Sequence, residues 1–577
     1  MSWFKTLSLT SLALFTLGNQ AFALNCPDVK KAPKCPSSGS TLLDDTYPVQ
    51  AYVVSNAPYI KGGPSAENVT RDFILNIYNS YDAKETPEVI LPLDTIEEFN
   101  AVKENLRKSL VEKKVNEEEI NLRLSKLKHY EAPSYTWQQD WFESFINPKT
   151  GRPVLRQMQS YDRGTNSTTA THAMAKLSQC EVSGGNELIA DYPTNEEITA
   201  YNEGKDQYSE NVPGRSFNSG EMGGNIEGAP GGLCLLGDNI GKNLQYEICG
   251  NSDNVIEIKT SWLRVGHVDE IFKILPTNYE DGRPKECQFS LMVASPRKAL
   301  ELLNDSSNKS RKFFESTPTY FDQKKQALSD ELRARNSMNL CLKYDEAVRQ
   351  KMDRMNPEKL LGPAGTKSVF IKQLYRALML QAQLKDIPGD GRGIKFKEEY
   401  DRYQKQVEAE YQRQLKALDT CKDNYKEIVN HEMLEIVNKD KEIQELNALI
   451  QESIDKDVAE TKKQILSRLP QCGKYFNVLE APSLFEGQGM TINPKTGKKE
   501  LLRGGTVDSI LPNPTNGVVM NKNYLISDSE NGVFNDYIEN ELKKRKMKMT
   551  KINTWEYSHL GKGNMHCSSH SIPYCQP

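Results

Sequence analysis

From Tyr135 to Pro296 no apolar run is long enough to make a helix face. Gly, Asn and Asp cut this part into short segments, among them Gly232-Leu233-Cys234-Leu235-Leu236-Gly237, Val255-Ile256-Glu257-Ile258 and Phe289 to Ala294. Apolar runs of this length bounded by turn residues read as strands, so this third of the chain is built of strands and turns with little helix. After Pro296 the pattern turns helical and stays so to about Leu469, broken at Gly362-Pro363 and at Pro388-Gly389-Asp390-Gly391. From Tyr475 strand and helix mix again, with turns at Gly504-Gly505, Asn513-Pro514 and Asn516-Gly517.

Ahead of the strand-rich part, Val89-Ile90-Leu91 reads as a buried strand. Asp94 with Glu97 three residues on has the pattern of a capping box. Ile96, Phe99, Val102, Leu106 and Leu110 then recur at helical spacing and give that helix one core face. From Leu24 to Lys84 the chain is rich in Pro, Ser, Gly and Tyr with little periodicity, which reads as a short N-terminal appendage, 24–84. In the helical part, apolar residues such as Tyr400, Tyr403, Val407, Tyr411, Leu415 and Leu418 recur every three or four positions from Phe396 to Val458. One unbroken helix would reach roughly 95 Å. No strict heptad is kept, so a folded-back helical hairpin within a packed structural insertion, 357–470, is expected, with a partner-binding coiled coil as the alternative.

The chain opens with Lys5 ahead of an apolar run, Leu7 to Leu17, and small residues at Ala21-Phe22-Ala23. That is the form of a signal peptide, 1–23, because the run falls short of the roughly 20 residues a bilayer span needs. Export to the periplasm or beyond is therefore expected, and no later segment is apolar enough to span a membrane. The remainder exceeds one ordinary core, which calls for several domains or one large repeat-built architecture. Lys and Arg total 74 against 78 Asp and Glu, so no global field favours nucleic acid. All eleven cysteines lie beyond the leader. Ten can pair in an oxidising compartment, leaving one over. Cys26 with Cys35 and Cys234 with Cys249 are the expected local pairs, since short loops close easily.

Four places carry the residues of a nucleophilic reaction. Asp140 follows an aromatic in Trp137-Gln138-Gln139-Asp140; His267 and Asp269 stand two apart in Val265-Gly266-His267-Val268-Asp269-Glu270; Gly223-Gly224-Asn225-Ile226-Glu227 is a glycine-rich turn with a carboxylate; and Asn564-Met565-His566-Cys567 presents a thiol. Each alone is bland, since a lone His in an apolar strand is more often structural. Together they supply a thiol, an imidazole and two carboxylates, the set needed to hold a guanidinium and attack its carbon. A planar cation with donors in a fixed fork is best held by carboxylates on its edges.

The strings WLRVGHVDE (Trp262 to Glu270), WQQDWFE (Trp137 to Glu143), GGNIE (Gly223 to Glu227), LLGD (Leu235 to Asp238), VASPR (Val293 to Arg297) and GNMHC (Gly563 to Cys567) resemble the peptidyl-arginine deiminases in order and spacing. The resemblance runs from about Pro87 to Cys567 apart from the extra helices. It implies an α/β fold, a five-bladed α/β propeller of the pentein type with its site at the centre, carrying a long all-helical insertion and a short N-terminal appendage. It also implies hydrolysis of arginine to citrulline. Asp140 and Asp269 would grip the guanidinium, Cys567 would form a covalent thiouronium, and His267 would protonate departing ammonia and activate water. Trp137 and Val265 would pack the arginine's methylenes, and Arg163 would hold the substrate's backbone. One calcium would be held by Gln139, Glu143 and Glu227 with the carbonyls of Gly223 and Ile226, an oxygen set suited to a hard cation.

Two departures stand out. Gly561 replaces an arginine that the family has six residues before the nucleophile, which keeps small guanidino substrates such as agmatine or free arginine in play, by hydrolysis or amidino transfer. The residues ahead of Lys84 are too few for the two immunoglobulin-like domains of the animal enzymes. From another class, the chain could be a non-catalytic exported scaffold or adhesin, but that reading predicts decay of the catalytic set, and all four positions are intact.

Overall fold

The computed structural model describes residues 32–36, 39–59, 68–131, 136–140, 142–147, 149, 151, 153–157, 187–189, 222–277, 282–308, 311, 440–555 and 557–577. The chain forms two compact units, 1–309 with 437–577, and 310–436. All but one of the described residues belong to the first, so the expected insertion from 357 to 439 lies outside them, as do the leader, Cys26 and Arg163.

Strand β1 (Val49–Val54) is followed by helix α1 (Val69–Ser80) and runs parallel to β2 (Glu88–Leu93). Helices α2 (Ile96–Glu112) and α3 (Glu117–Ser125) then cross to β3 (Leu127–Glu131), parallel to β2. The α2 cap falls one residue after the expected one, at Thr95, whose side chain accepts from the amide of Glu98. Phe99, Leu106 and Leu110 make its core face as expected, while Ile96 is exposed. Each such buried apolar side chain contributes about 1.5–3 kcal/mol.

The next sheets repeat one pattern, an antiparallel pair followed by a parallel third strand. They are β4 (Phe142–Ile146), β5 (Pro153–Gln157) and β6 (Glu187–Ile189), then β7 (Ile226–Ala229), β8 (Leu233–Gly237) and β9 (Val255–Ile258), with α4 (Lys242–Cys249) crossing from β8 to β9. The third set is β10 (Phe272–Pro276), β11 (Phe289–Ser295) and β12 (Val478–Pro482), with α5 (Pro296–Asn304) and α6 (Lys441–Arg468) lying between β11 and β12 in the chain. Strands β13 (Phe485–Glu486), β14 (Met490–Ile492), β15 (Lys499–Leu501) and β16 (Asp508–Ser509) make two ribbons, β14 with β15 and β13 with β16. The last set is β17 (Val518–Met520), β18 (Asn523–Ser527) and, across α7 (Gly532–Lys544), β19 (Lys548–Ile552). Finally β20 (Ser569–Pro573) returns antiparallel to β1, so the first sheet has the order β20-β1-β2-β3 and contains the same pattern.

Strands covered on both faces must be apolar throughout, and β11 shows why. Its odd positions Phe289, Leu291 and Val293 enter one core with Trp262, Phe272 and Ile450, whereas Met292 enters another with Leu275, Tyr524 and Ile538. Alternation thus serves two cores at once.

Three sequence expectations need correction. The segment 24–84 is no appendage from Val49 onward: β1 is central in its sheet, and Tyr52, Val54, Phe73 and Ile74 are core residues. The proline- and glycine-rich stretches on either side of these residues hid a strand and a helix whose partners are far away in the chain. The described end of the expected insertion, α6, lies in the main core through Leu446, Ile450, Ile454 and Ile465, and its Asp457 accepts from the amide of Lys259 at 3.0 Å. Cys35 bonds Cys575, not Cys26, because the pairing of β1 with β20 carries the chain beyond β20 alongside Cys35; the amide of Cys35 donates to the carbonyl of Gln576. The expected Cys234–Cys249 bond is present, and Cys287 bonds Cys472 across 185 residues. A crosslink closing so long a loop stabilises by about 5 kcal/mol in a chain-entropy model. Among the described residues Cys567 alone is free.

Candidate active site

The five sheets are each entered through a turn, and the chemically distinctive residues sit on those turns. A 3-10 turn, Gln138–Asp140, precedes β4; another, Gly223–Asn225, precedes β7; a third, Val268–Glu270, precedes β10. Asn516 stands two residues before β17 and Cys567 two before β20. The turns touch: the amide of Gln139 donates to the carbonyl of Cys567 at 3.2 Å, and that of His566 to the carbonyl of Asn516 at 3.2 Å. Gly224 closes the gap on the remaining side, where an added Cβ would lie 2.5 Å from His267 Nδ1 and 3.3 Å from Asp269 Oδ2.

Asp140, His267, Asp269 and Cys567, picked out from three separate motifs, are therefore neighbours, and all are buried. His267 Nδ1 is 4.0 Å from Asp140 Oδ1. Cys567 Sγ lies 3.5 Å from Asp269 Oδ2 and receives a hydrogen bond from Asn516 Nδ2 at 3.1 Å. The same Asp269 oxygen is 2.8 Å from His566 Nδ1. Its other oxygen, Oδ1, is buried with no hydrogen-bond partner among the described residues. Glu270 shapes this cluster by accepting hydrogen bonds from the amides of Gly266 at 3.1 Å and His267 at 3.0 Å. The bend needs glycine at 266, where φ is +83°.

Burial and the neighbouring Asp269 carboxylate hold Asp140 well above the usual carboxylate range. For Asp269 burial also pushes upward, but the hydrogen bond and charge of His566, with His267 and Lys273, bring it below its ordinary value. Burial and then Asp269 push the Cys567 thiol well up. Two carboxyl groups, one of them with a buried oxygen that accepts no hydrogen bond among the described residues, therefore stand beside a thiol that burial and charge keep protonated.

Of the residues expected to line the substrate, Trp137 is half-buried against the loop that carries Cys567: a Cβ on Gly563 would be 2.3 Å from its ring and 3.1 Å from Cys567 Cβ. Val265 is half-buried two residues before His267, and Arg163 lies outside the described residues. Sequence reasoning missed His566, Asn516 and Tyr59. His566 adjoins the thiol and could have been read from the motif, whereas Asn516 looked like a turn residue. Tyr59, exposed, stands 6.2 Å from the Trp137 ring, and a Cβ on Gly561 would be 2.6 Å from both rings.

The residues expected to hold calcium come together beside this cluster, where Gln139, Glu143 and Gly223 have hydrogen-bond partners of their own, while among the described residues Glu227 Oε1 accepts no hydrogen bond and has only charged neighbours. Gln139 Oε1 is 2.9 Å from His570 Nδ1, and Gln139 Nε2 donates to Glu143 Oε1 at 2.9 Å. The Gly223 carbonyl accepts from the amide of Ile226. Glu227 Oε1 lies 3.5 Å from both His566 Nε2 and the ammonium of Lys273, and Lys273 also meets Asp45 Oδ2 at 2.8 Å. A cavity of about 30 Å³ among Asp44, Asp45, Gln139, Glu143 and Glu227 has room for little more than a water. As they stand, these residues do not fit a metal ion, because the positive charge among them is an ammonium.

The family model described as Protein-arginine deiminase (PAD) matches residues 238–356. No curated protein sequence matches the chain. Among solved structures, an agmatine deiminase of C. jejuni aligns at 10% identity over 93% of this chain and 96% of its own, with a TM-score of 0.35. A provisionally assigned arginine deiminase of Porphyromonas gingivalis aligns at 11% over 93% and 98%, with a TM-score of 0.38. Agmatine deiminase of Enterococcus faecalis aligns at 9% over 94% and 98%, with a TM-score of 0.37. Over residues 238–356, the stretch that carries His267 and Asp269, the chain is similar to the protein-arginine deiminases, the family its motifs resemble.

Proposed function

We propose that the protein hydrolyses the guanidino group of arginine side chains in proteins or peptides, giving citrulline and ammonia through a covalent thiouronium on Cys567. The observation that carries this reading is the buried pair Asp140 and Asp269 against a free thiol, with Asp269 Oδ1 unpartnered. A guanidinium supplies a cation and hydrogen-bond donors at once. Its charge offsets the carboxylates that hold the thiol protonated, so the thiol gives up its proton as the substrate enters, and His267 takes it. The thiolate adds to the guanidinium carbon, and ammonia leaves with a proton from His267. Water then adds to the same carbon as His267 takes a proton back, and the carbon–sulfur bond breaks to free the thiolate and the ureido product. Asn516 and the His566–Asp269 bond fix the sulfur and the carboxylate during both steps.

The five sheets are in this reading the five blades of the propeller, with the entry turns meeting at its axis. The leader-like start and the bonds Cys35–Cys575, Cys234–Cys249 and Cys287–Cys472 support work in an exported, oxidising compartment. Among the described residues no helix is long and apolar enough to cross a membrane. A second reading, a small guanidino substrate such as agmatine or free arginine, is favoured by one observation: Trp137 and Tyr59 occupy the space a side chain at 561 would take. Ammonia release and ureido-product formation from an arginine peptide, free arginine and agmatine, compared side by side for wild type and Cys567→Ala, test both. A tenfold or greater preference in kcat/KM for the peptide supports the first reading, and one for agmatine or free arginine the second. No product from any of them, or turnover by the thiol-free variant, refutes the chemistry.

A further inference from the structure

A lysine ammonium is expensive to bury unless charges surround it, yet the Lys273 side chain is wholly buried, on β10 four residues beyond Asp269. Asp45 lies 2.8 Å from it and Glu227 3.5 Å. Placed between two carboxylates, the buried amine has the counter-charges that an ammonium needs. Glu227 in turn faces His566 Nε2, whose Nδ1 holds the Asp269 oxygen nearest the nucleophile. A continuous line of alternating groups thus runs Asp45, Lys273, Glu227, His566, Asp269, Cys567.

We propose that Lys273 is a built-in cation that takes the structural place of a divalent metal, so that the active-site turns are ordered without calcium. Lys273 is a positioning residue: it holds Glu227, and through it His566 and Asp269, while touching none of the reacting atoms. Removing the ammonium leaves Asp45 and Glu227 facing each other beside the existing cavity, with Gln139 and Glu143 at its wall, a set of oxygens that suits a hard cation. Loss of the lysine should therefore create the metal requirement that the wild type lacks.

The experiment compares wild type with Lys273→Met, a neutral side chain of similar length. Calcium binding is read by calorimetry, melting temperature by calcium titration, and turnover in chelator and in millimolar calcium. Wild type is expected to bind no calcium, to melt at one temperature throughout, and to keep full activity in chelator. K273M should lose roughly tenfold or more in turnover in chelator, bind calcium, melt higher with it and regain activity, whereas a merely structural lysine would give a variant that calcium cannot restore. The inference rests on the deiminase reading only for the turnover arm. If no guanidino compound were turned over, binding and melting would still decide. Calcium binding by wild type, or a folded K273M that ignores the ion, overturns the proposal. Should K273M fail to fold, wild-type calorimetry alone decides: heat of calcium binding refutes, its absence together with an unmoved melting temperature supports.

Discussion

Gly224→Ala adds one methyl group at the closest approach between two of the site's turns. The new carbon would lie 2.5 Å from His267 Nδ1, against an ordinary contact of about 3.4 Å or more, so the imidazole or its turn must retreat by about 0.9 Å. His267 sits where the amides of 266 and 267 are held by Glu270, which leaves the ring little freedom to swing aside. Misplacement of a reacting group by about 1 Å costs on the order of a hundredfold in rate, whereas the overpacking itself destabilises by about 1–3 kcal/mol. Turnover should therefore collapse in a protein that still folds. Gly473→Ala is the control, since its new carbon meets nothing nearer than 3.5 Å in an ordinary helical conformation. Citrulline release under saturating arginine peptide, with melting curves for all three proteins, makes the comparison. A folded G224A with turnover within threefold of wild type would refute the placement of His267 beside the reacting carbon.

Asp269→Asn should lower turnover at least about a hundredfold, because it removes the charge that a guanidinium would pair with. Glu270→Gln keeps an oxygen for the two amides it caps and should lose less than about tenfold; equal losses would point to general destabilisation. Gly561→Arg, measured by kcat/KM on peptide and agmatine, should weaken both, since its Cβ has no room between Trp137 and Tyr59, and a selective gain for peptide would contradict that. Burial pushes Asp457 up to about 7, against the Lys259 amide it accepts. A raised folded value favours the protonated form, so that contribution is intact below the unfolded value near 3.9 and is lost as pH rises through about 7. Asp457→Asn keeps the acceptor and should be the more stable protein at pH 8, by up to roughly 4 kcal/mol, with the advantage fading toward pH 4 in denaturant titrations; a constant difference would refute the assignment.

The proposed catalytic residues were legible because the chemistry demands uncommon side chains at fixed spacing: His267 and Asp269 two apart, a thiol after His566, and an acid after the Trp137 aromatic. Strands such as β9 and β11 were legible from continuous apolar runs. What long-range pairing decides was not. Nothing near Val49 announces that β1 will take β2 on one edge and β20 on the other, and spacing along the chain does not point Cys35 to Cys575, 540 residues away. Helix α6 carries the same apolar periodicity as the sequence before it, so spacing alone could not separate a core helix from an insertion. Lys273 was hidden because a lysine in an apolar strand usually marks a solvent-facing position; here the carboxylates that make its burial tolerable come from Asp45 and Glu227, on other segments.

The pairing of β20 with β1 also sets a schedule. His570 lies opposite Val53, and Ser569 opposite Val54, so the strand that fixes Cys567 finds its partner across more than 500 residues. Contacts of such sequence separation form late, after local pairs such as β7 with β8 or β17 with β18 have already repaid their short loop closures. The thiol is thus set in place by one of the most distant associations in the molecule. A partly folded chain would hold several finished sheets with Cys567 still unplaced, and any reactivity that needs this thiol would arrive in a single step, with the pairing of β20 and β1.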